Sequence, residues 1–250
     1  MSWATKRKLI YFFSFLLIII VVVGLPLFFL LYKRPTCSDN RKNQGEQGVD
    51  CGGPCVKLCK AEQLTPVINW QQAFMVTPGT YSAVAYIYNP NVYAEAFNVP
   101  YTFILRDSRG QMVAERRGTA TIPAGKYFAV FESGISAGDK VPTRAEFEFG
   151  QEFNWAAIRS DLPDIQSFNP TLANASTSPT IDADIKNSST INVGRIDVTA
   201  IVYDLSGNAF AASKTYLDSL LHGATGHVVF TWPRPFDRPV SRIELIPVVR

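Results

Sequence analysis

Apolar residues run together at the start of the chain and alternate with polar ones further on, and the change marks two kinds of structure. Leu9 to Tyr32, LIYFFSFLLIIIVVVGLPLFFLLY, carries no charge over 24 residues. A helix of that length, rising about 1.5 Å per residue, spans a hydrocarbon core of about 30 Å. The run therefore predicts a membrane-spanning helix over 9–32 after a short tail, 1–8. Pro26 is a kink that a membrane helix tolerates, and Trp3, Tyr11 and Tyr32 suit the interfaces. A cleaved signal peptide has a shorter apolar core and a small-residue exit. This run leaves through LYKRPTC, which favours an uncleaved anchor. From residue 62 the pattern is that of strands. SAVAYIYN, VPYTFILRD, KYFAVFE and RAEFEFG are short and rich in Val, Ile, Tyr and Phe. Turn signals such as NPN, DSRG, PAG and LSGN separate them. No amphipathic helical pattern follows residue 60.

These strands repeat. NVPYTFILRDSRGQMVAE (98–115) aligns with RIDVTAIVYDLSGNAFAA (195–212), with Asp107 opposite Asp204 and Gly110 opposite Gly207. Pro66 and Ile68 match Pro163 and Ile165 at the same offset, and Asn89 matches Asn187 one residue later. IPAGKYFAVFE (122–132) answers LLHGATGHVVFTW (220–232), and AEFEF (145–149) answers RIELI (242–246). Two copies of six or seven strands each predict an all-β fold: two tandem immunoglobulin-like β-sandwiches, 62–158 and 159–250. The joining linker is expected within 159–179, part of it the first strand of the second copy.

Composition adds an asymmetry. Of the 31 Phe, Tyr and Trp residues, 16 fall in 62–158 and 7 in 159–250. In AVAYIYN both faces of the strand are apolar, so the first copy is expected to have a covered outer face. The cover would be the second copy, the membrane surface or a partner, with a larger core as the plainer alternative. Tyr81, Tyr86, Tyr88, Tyr93, Tyr101 and Tyr127 are the candidate binding face. The formal net charge of +3 gives no reason to expect a nucleic-acid partner.

All four cysteines sit in 33–61, just past the apolar run, with the spacing C-x13-C-x3-C-x3-C from Cys37 through Cys51 and Cys55 to Cys59. A four-thiolate zinc site usually pairs its ligands twice, and Cys37 stands alone. A redox pair would want C-x-x-C beside a helix start. Two disulfides stapling a segment too small and polar for its own core fit best. Their connectivity stays open among three pairings. Asp39, Asn43, Glu46 and Asp50 are oxygen ligands in a glycine-rich loop, the chemistry of a Ca2+ site; turn residues around disulfides are the commoner source of that composition. Lys6, Arg7 and Lys8 before the helix nearly balance Lys33, Arg34, Arg41 and Lys42 after it. Orientation therefore rests on the disulfides, which place 33–250 in an oxidising compartment and the N-terminus in the cytoplasm.

The stretch CSDNRKNQGEQGVDCGGPC resembles a short cysteine module of bacterial surface proteins, C-x-D-G-x-x-N-x-x-E-x-G-x-D-C-G-G-x-C. The matches are Cys37, Asp39, Asn43, Glu46, Gly48, Asp50, Cys51, Gly52, Gly53 and Cys55. Asn40 stands where that pattern has Gly, and Asn is the residue type that best tolerates positive φ. A second resemblance is to the FxLYD domains of bacterial surface proteins. Phe103, Leu105 and Asp107 carry it in the first copy, with Arg106 in place of Tyr. Val202, Tyr203 and Asp204 carry it in the second, with Ala200 in place of Phe. That resemblance implies a fibronectin-like sandwich and no agreed biochemical activity.

No catalytic constellation stands out. His222 and His227 in HGATGH suit a hairpin turn, and Asp182 and Asp184, which share a strand face, suit a solvated surface. No G-x-S-x-G or phosphate-loop pattern occurs. NAS (174–176) and NSS (187–189) fit the glycosylation acceptor pattern, which carries no weight in a bacterial protein. The expectation is a non-catalytic, single-pass envelope protein with an envelope protein partner, no nucleic acid and no cofactor except Ca2+ in the collar. A carbohydrate- or wall-binding module using the first-copy aromatics is one alternative. A zinc- or thiol-dependent protein is another. The partner's identity and the oligomeric state are not in the sequence.

Overall fold

The computed structural model describes residues 3–32, 34–150, 153–158 and 162–250. Lys33, counted among the charges after the helix, and 159–161, where the expected linker begins, lie outside the described residues. The chain forms two compact units, Met1–Cys55 and Val56–Arg250, so the expected collar, 33–61, is divided between them.

In the first unit, α1 (Trp3–Ile19) passes through a π-helical turn, Ile20–Gly24, into α2 (Leu25–Leu31). The widened turn has a local cause. Pro26 has no N–H to give the carbonyl four residues back, so the ladder loosens ahead of it. The amide of Leu25 instead donates to the Ile20 carbonyl, five residues back. The helix starts earlier than the charge-free run and takes in Lys6, Arg7 and Lys8. An 18-residue window within Trp3–Phe28 has a mean hydropathy of 2.8, and the helix is long and apolar enough to cross a membrane. No residue of α1 is buried, which an apolar surrounding would suit and water would not.

The second unit holds two β-sandwiches. The first is built from β1 (Val67–Thr77), β2 (Thr80–Tyr88), β3 (Ala94–Arg106), β4 (Met112–Ile122), β5 (Tyr127–Ser136), β6 (Arg144–Phe149) and β7 (Trp155–Ala157). Sheet β1-β2-β5 packs on sheet β4-β3-β6, with β7 pairing the start of β3. The second uses β8 (Ile165–Ala173), β9 (Thr180–Asn187), β10 (Ile196–Tyr203), β11 (Ala209–Leu217), β12 (Thr225–Thr231) and β13 (Arg242–Val249). Its sheets run β8-β9-β12 and β11-β10-β13, the order of the first copy strand for strand. Every strand pair is antiparallel. Alternation explains the two cores. Ala83, Ala85 and Ile87 of β2 face Phe103, Leu105 and Phe147 in one. Ile181, Ala183 and Ile185 of β9 face Val198, Ala200 and Val202 in the other.

The landmarks of the repeat are backbone devices. Asp107 and Asp204 each accept two turn amides on one carboxylate oxygen, from Arg109 and Gln111 and from Ser206 and Asn208. Gly110 and Gly207 sit at φ 76° and 79°, the left-handed region that the turn demands. Asn89 and Asn187, both fully buried, each donate two amide hydrogens to carbonyls of flanking loops. One alignment slips. Ala145 lies opposite Leu105 and Ile243 opposite Val202, so 145–149 corresponds to 243–247 and not to 242–246.

Candidate functional site

The two sandwiches meet through sheet faces that an isolated sandwich would leave in water. On the first, Phe74 of β1, Val84 of β2 and Phe131 of β5 point away from their own core. On the second, Ile201 and Tyr203 of β10, Ala209 and Ala212 of β11 and Ile246 of β13 meet them. Strand β10 is consequently buried at all eight positions, one set against its own core and the alternate set in the seam. The first copy's outer face is thus covered by the second copy, one of the covers its alternation predicts. Burying a large apolar side chain is worth about 1.5–3 kcal/mol, whereas the desolvation of a buried charge offsets most of what its ion pairs gain. The apolar centre therefore dominates the seam, and the charges around it set register.

Those charges form two clusters. Glu244 of β13 accepts from Tyr86 across the seam at 2.8 Å and from Tyr203 at 2.9 Å. Burial, reinforced by the carboxylate, raises both tyrosine pKa values. Asp197, nearly fully buried, is ringed by Arg250 at 2.7 Å, Arg195 at 2.9 Å and Lys214 at 4.0 Å. Burial lowers the Lys214 pKa and Asp197 opposes that shift. Lys214 also donates to the Phe131 carbonyl of the first sandwich at 3.4 Å.

The six candidate tyrosines are not on one surface. Tyr81 and Tyr101 lie in the first core, Tyr101 donating to Glu132. Tyr86 is in the seam. Tyr88 and Tyr127 continue a stack across the strands: Trp70–Tyr86 at 5.5 Å, Tyr86–Tyr127 at 5.3 Å and Tyr88–Tyr127 at 4.8 Å between ring centroids. Tyr93, three-quarters exposed, stands apart. In the stack each ring turns a face to its neighbour.

The collar residues Cys37 and Cys55 form a disulfide, and Cys51 and Cys59 are disulfide-bonded as well. Asn40 has φ 57°, the conformation its place in the module asks for. The four oxygen residues serve the loop's own backbone. Asp50 accepts the amides of Asp39 and Asn40, and Glu46 accepts those of Asn43 and Asp50. Asp39 accepts the Arg41 amide and the Asn43 side chain. The Asn43 hydrogen bond leads the interactions that lower the Asp39 pKa. A Glu46 oxygen lies 3.1 Å from Cys55 Sγ, a contact only, since a disulfide sulfur has no proton. Cys37, Glu46 and Cys55 lie close enough together for a metal, but the two sulfurs are spent on each other.

Elsewhere, His227 bridges Asp184 and Asp182 through its two ring nitrogens, each at 3.2 Å, on the exposed face of β9 and β12. His222 contacts the Ser189 carbonyl and belongs to the turn. Sequence reasoning singled out neither Glu244, Asp197 nor Trp232. The usable signal was the difference between copies, because Tyr203 and Glu244 stand where the first copy has the ion pair Arg106–Glu146.

Fold and site together define a two-sandwich β-protein with a disulfide-bonded loop and an N-terminal helix able to cross a membrane. No family profile and no curated protein matches the chain. Among solved structures it is similar to a Bacteroides uniformis β-glucuronidase, at 14% identity and TM-score 0.20 over 69% of this chain and 22% of that one. It is similar to red sea bream transglutaminase at 9% identity and TM-score 0.22, over 72% of this chain and 31% of that one. The chain spans less than a third of either structure, and likeness at that level carries no inference about activity.

Proposed function

We propose that this chain is a non-catalytic, single-pass protein of a bacterial cell envelope, with its C-terminal region outside the cytoplasm. It holds two fused sandwiches as one body for protein binding or assembly. The observation that carries the reading is the seam. Burial of β10 along its whole length joins the sandwiches face to face, as suits a module that presents surfaces in fixed relation. The disulfides support an oxidising compartment, and the helix supports an anchor. The resemblances to FxLYD domains and to the bacterial cysteine module point the same way. Exposed strand surface is available for a partner: six of the nine positions of the edge strand β8 are exposed and none is buried, with Phe168 among the exposed ones. The stacked rings beside the seam offer their faces to one another, so a sugar-binding platform has less to recommend it.

A photo-cross-linking side chain placed at Phe168, and separately at Leu205 on the exposed β10–β11 turn, tests this in intact cells. A discrete adduct with the same envelope protein, lost when the helix is deleted, is the expected result. Absence of any adduct from both positions, or adducts with cytoplasmic proteins, would overturn the reading.

A further inference from the structure

The corner asparagine of the first copy also shapes one end of its sandwich. Asn89 Oδ1 accepts both the backbone amide and the side-chain amide of Asn91. Asn91 in turn accepts the Leu64 amide at 2.9 Å and donates to the Leu64 carbonyl at 2.7 Å. Its own carbonyl takes the amide of Gly125. Alongside, the carbonyls of Val56 and Tyr93 accept the amides of Ala157 and Ile158. These bonds gather chain from 56, 64, 91–93, 125 and 157–158 at one place and turn its polar groups inward. The side chains left outside are apolar. Val56, Leu64 and Val92 are each more than half exposed, and Tyr93 is three-quarters exposed. Val67 and Tyr127, at the adjoining starts of β1 and β5, are half exposed, both paired with Tyr88. Lys57, Lys60 and Glu62 are exposed in the stretch that follows Val56.

This is also the end at which the chain arrives from the collar. The disulfide sets how far that chain can reach. Tyr32 caps α2, and the five residues from it to Cys37 span at most about 18 Å. The Cα atoms of Cys37 and Cys55 are 5.5 Å apart. Val56 is bonded to Cys55, so covalent geometry alone keeps it within about 27 Å of Tyr32. Without the disulfide the same stretch could extend to roughly 80 Å.

We propose that this loop end docks on the lipid surface of the membrane that the helix spans, with Val56, Leu64, Val92 and Tyr93 at the boundary between headgroups and acyl chains. The composition suits that boundary. Apolar side chains enter it, a Tyr ring lies along it with the hydroxyl in water, and ammonium groups meet anionic headgroups. The short tether favours lipid over a protein partner, because it holds the apolar end at high effective concentration beside the bilayer. Docking would fix which surfaces of the fused sandwiches face away from the membrane. The proposal rests on the reading of the helix as an anchor.

The test is fluorine NMR of the full chain in nanodiscs of phosphatidylcholine and phosphatidylglycerol, with and without lipids carrying chelated gadolinium on the headgroup. Trifluoromethylphenylalanine replaces Tyr32, Tyr93 or Val141, one at a time. Val141 is as exposed and apolar, but it lies past the far end of β5, about 30 Å from Tyr127. Gadolinium should broaden the signals at 32 and 93 alike and leave the one at 141 sharp. Val56→Asp/Leu64→Asp, changed only at exposed side chains, should restore a sharp signal at 93 and not at 32. Broadening at 32 without broadening at 93 would overturn the docking and leave the anchor standing, whereas none at either position would sink both. Broadening at 93 that survives Val56→Asp/Leu64→Asp would mean mere closeness through the tether and would overturn the docking. A signal at 93 that responds to protein concentration and not to gadolinium would place a second copy there, with the same consequence.

Discussion

Tyr86 and Tyr203, one from each sandwich, donate their hydroxyls to the two oxygens of one carboxylate, that of Glu244. The arrangement ties β2 to β13 across the seam and fixes how the faces slide. Tyr86→Phe and Tyr203→Phe should each lower stability by about 1 kcal/mol, at the low end for a charged acceptor because Glu244 retains some solvent contact. Sharing one acceptor makes them non-additive. A double-mutant cycle on denaturant midpoints is expected to give a coupling of about 0.5 kcal/mol or more, and strict additivity would refute the shared role.

Asn187 holds a corner by donating to the carbonyls of Ile191 and Leu220 from a fully buried position. Asn187→Ala should cost about 2–4 kcal/mol, because it strands two acceptors as well as losing two bonds. Asn89→Ala should behave alike in the first copy, where the acceptors are Ala94 and Pro123. Equilibrium unfolding of both variants checks this, and a loss under 1 kcal/mol in either would show that the corner is held by something else.

His227 titrates between two carboxylates, and hydrogen bonds to Asp184 and Asp182 raise its pKa above 6.5. A raised folded-state pKa means the protonated form stabilises the fold. That contribution is present in full below about pH 6.5 and disappears as pH rises through the folded value. The wild-type protein should therefore exceed Asp182→Asn/Asp184→Asn in unfolding temperature most at pH 6, with the gap narrowing toward pH 9. A gap that widens with pH would contradict the assignment.

In the collar, acidic side chains accept the loop's amides. Asp50→Ala should raise hydrogen exchange at the Asp39 and Asn40 amides, which lose their acceptor. A chelator should leave that exchange unchanged. A calcium-dependent rise in protection would instead establish the loop as a cation site.

The repeat could be read from the sequence because its markers answer to backbone demands. A turn that needs positive φ keeps its Gly, and a corner that needs two donors keeps its Asn. The covered face was also visible as apolar residues on both sides of AVAYIYN. Which face it would meet was not, because alternation records only that a position is buried, never against what. The copies encode the answer in their differences. Val84 and Tyr86 in the seam correspond to Asp182 and Asp184 on the open face of the second copy. Ile201 and Tyr203 correspond to Ile104 and to the ion-paired Arg106. Charged residues thus occupy the faces that would otherwise continue the stack with another copy. The six tyrosines scattered because the excess of aromatics serves three purposes at once: a core, a seam and a stack beside it.

Differential scanning calorimetry of the full chain tests the fusion of the sandwiches most directly. One transition in buffer without reductant, with equal calorimetric and van't Hoff enthalpies, is the expected result, because an apolar seam makes the two cores melt together. Ile201→Asp, which buries a charge in that seam, should split or broadly lower the transition. Two resolved transitions in the wild-type protein, unmoved by Ile201→Asp, would mean that the sandwiches are independent beads and that no fixed presentation of their surfaces exists.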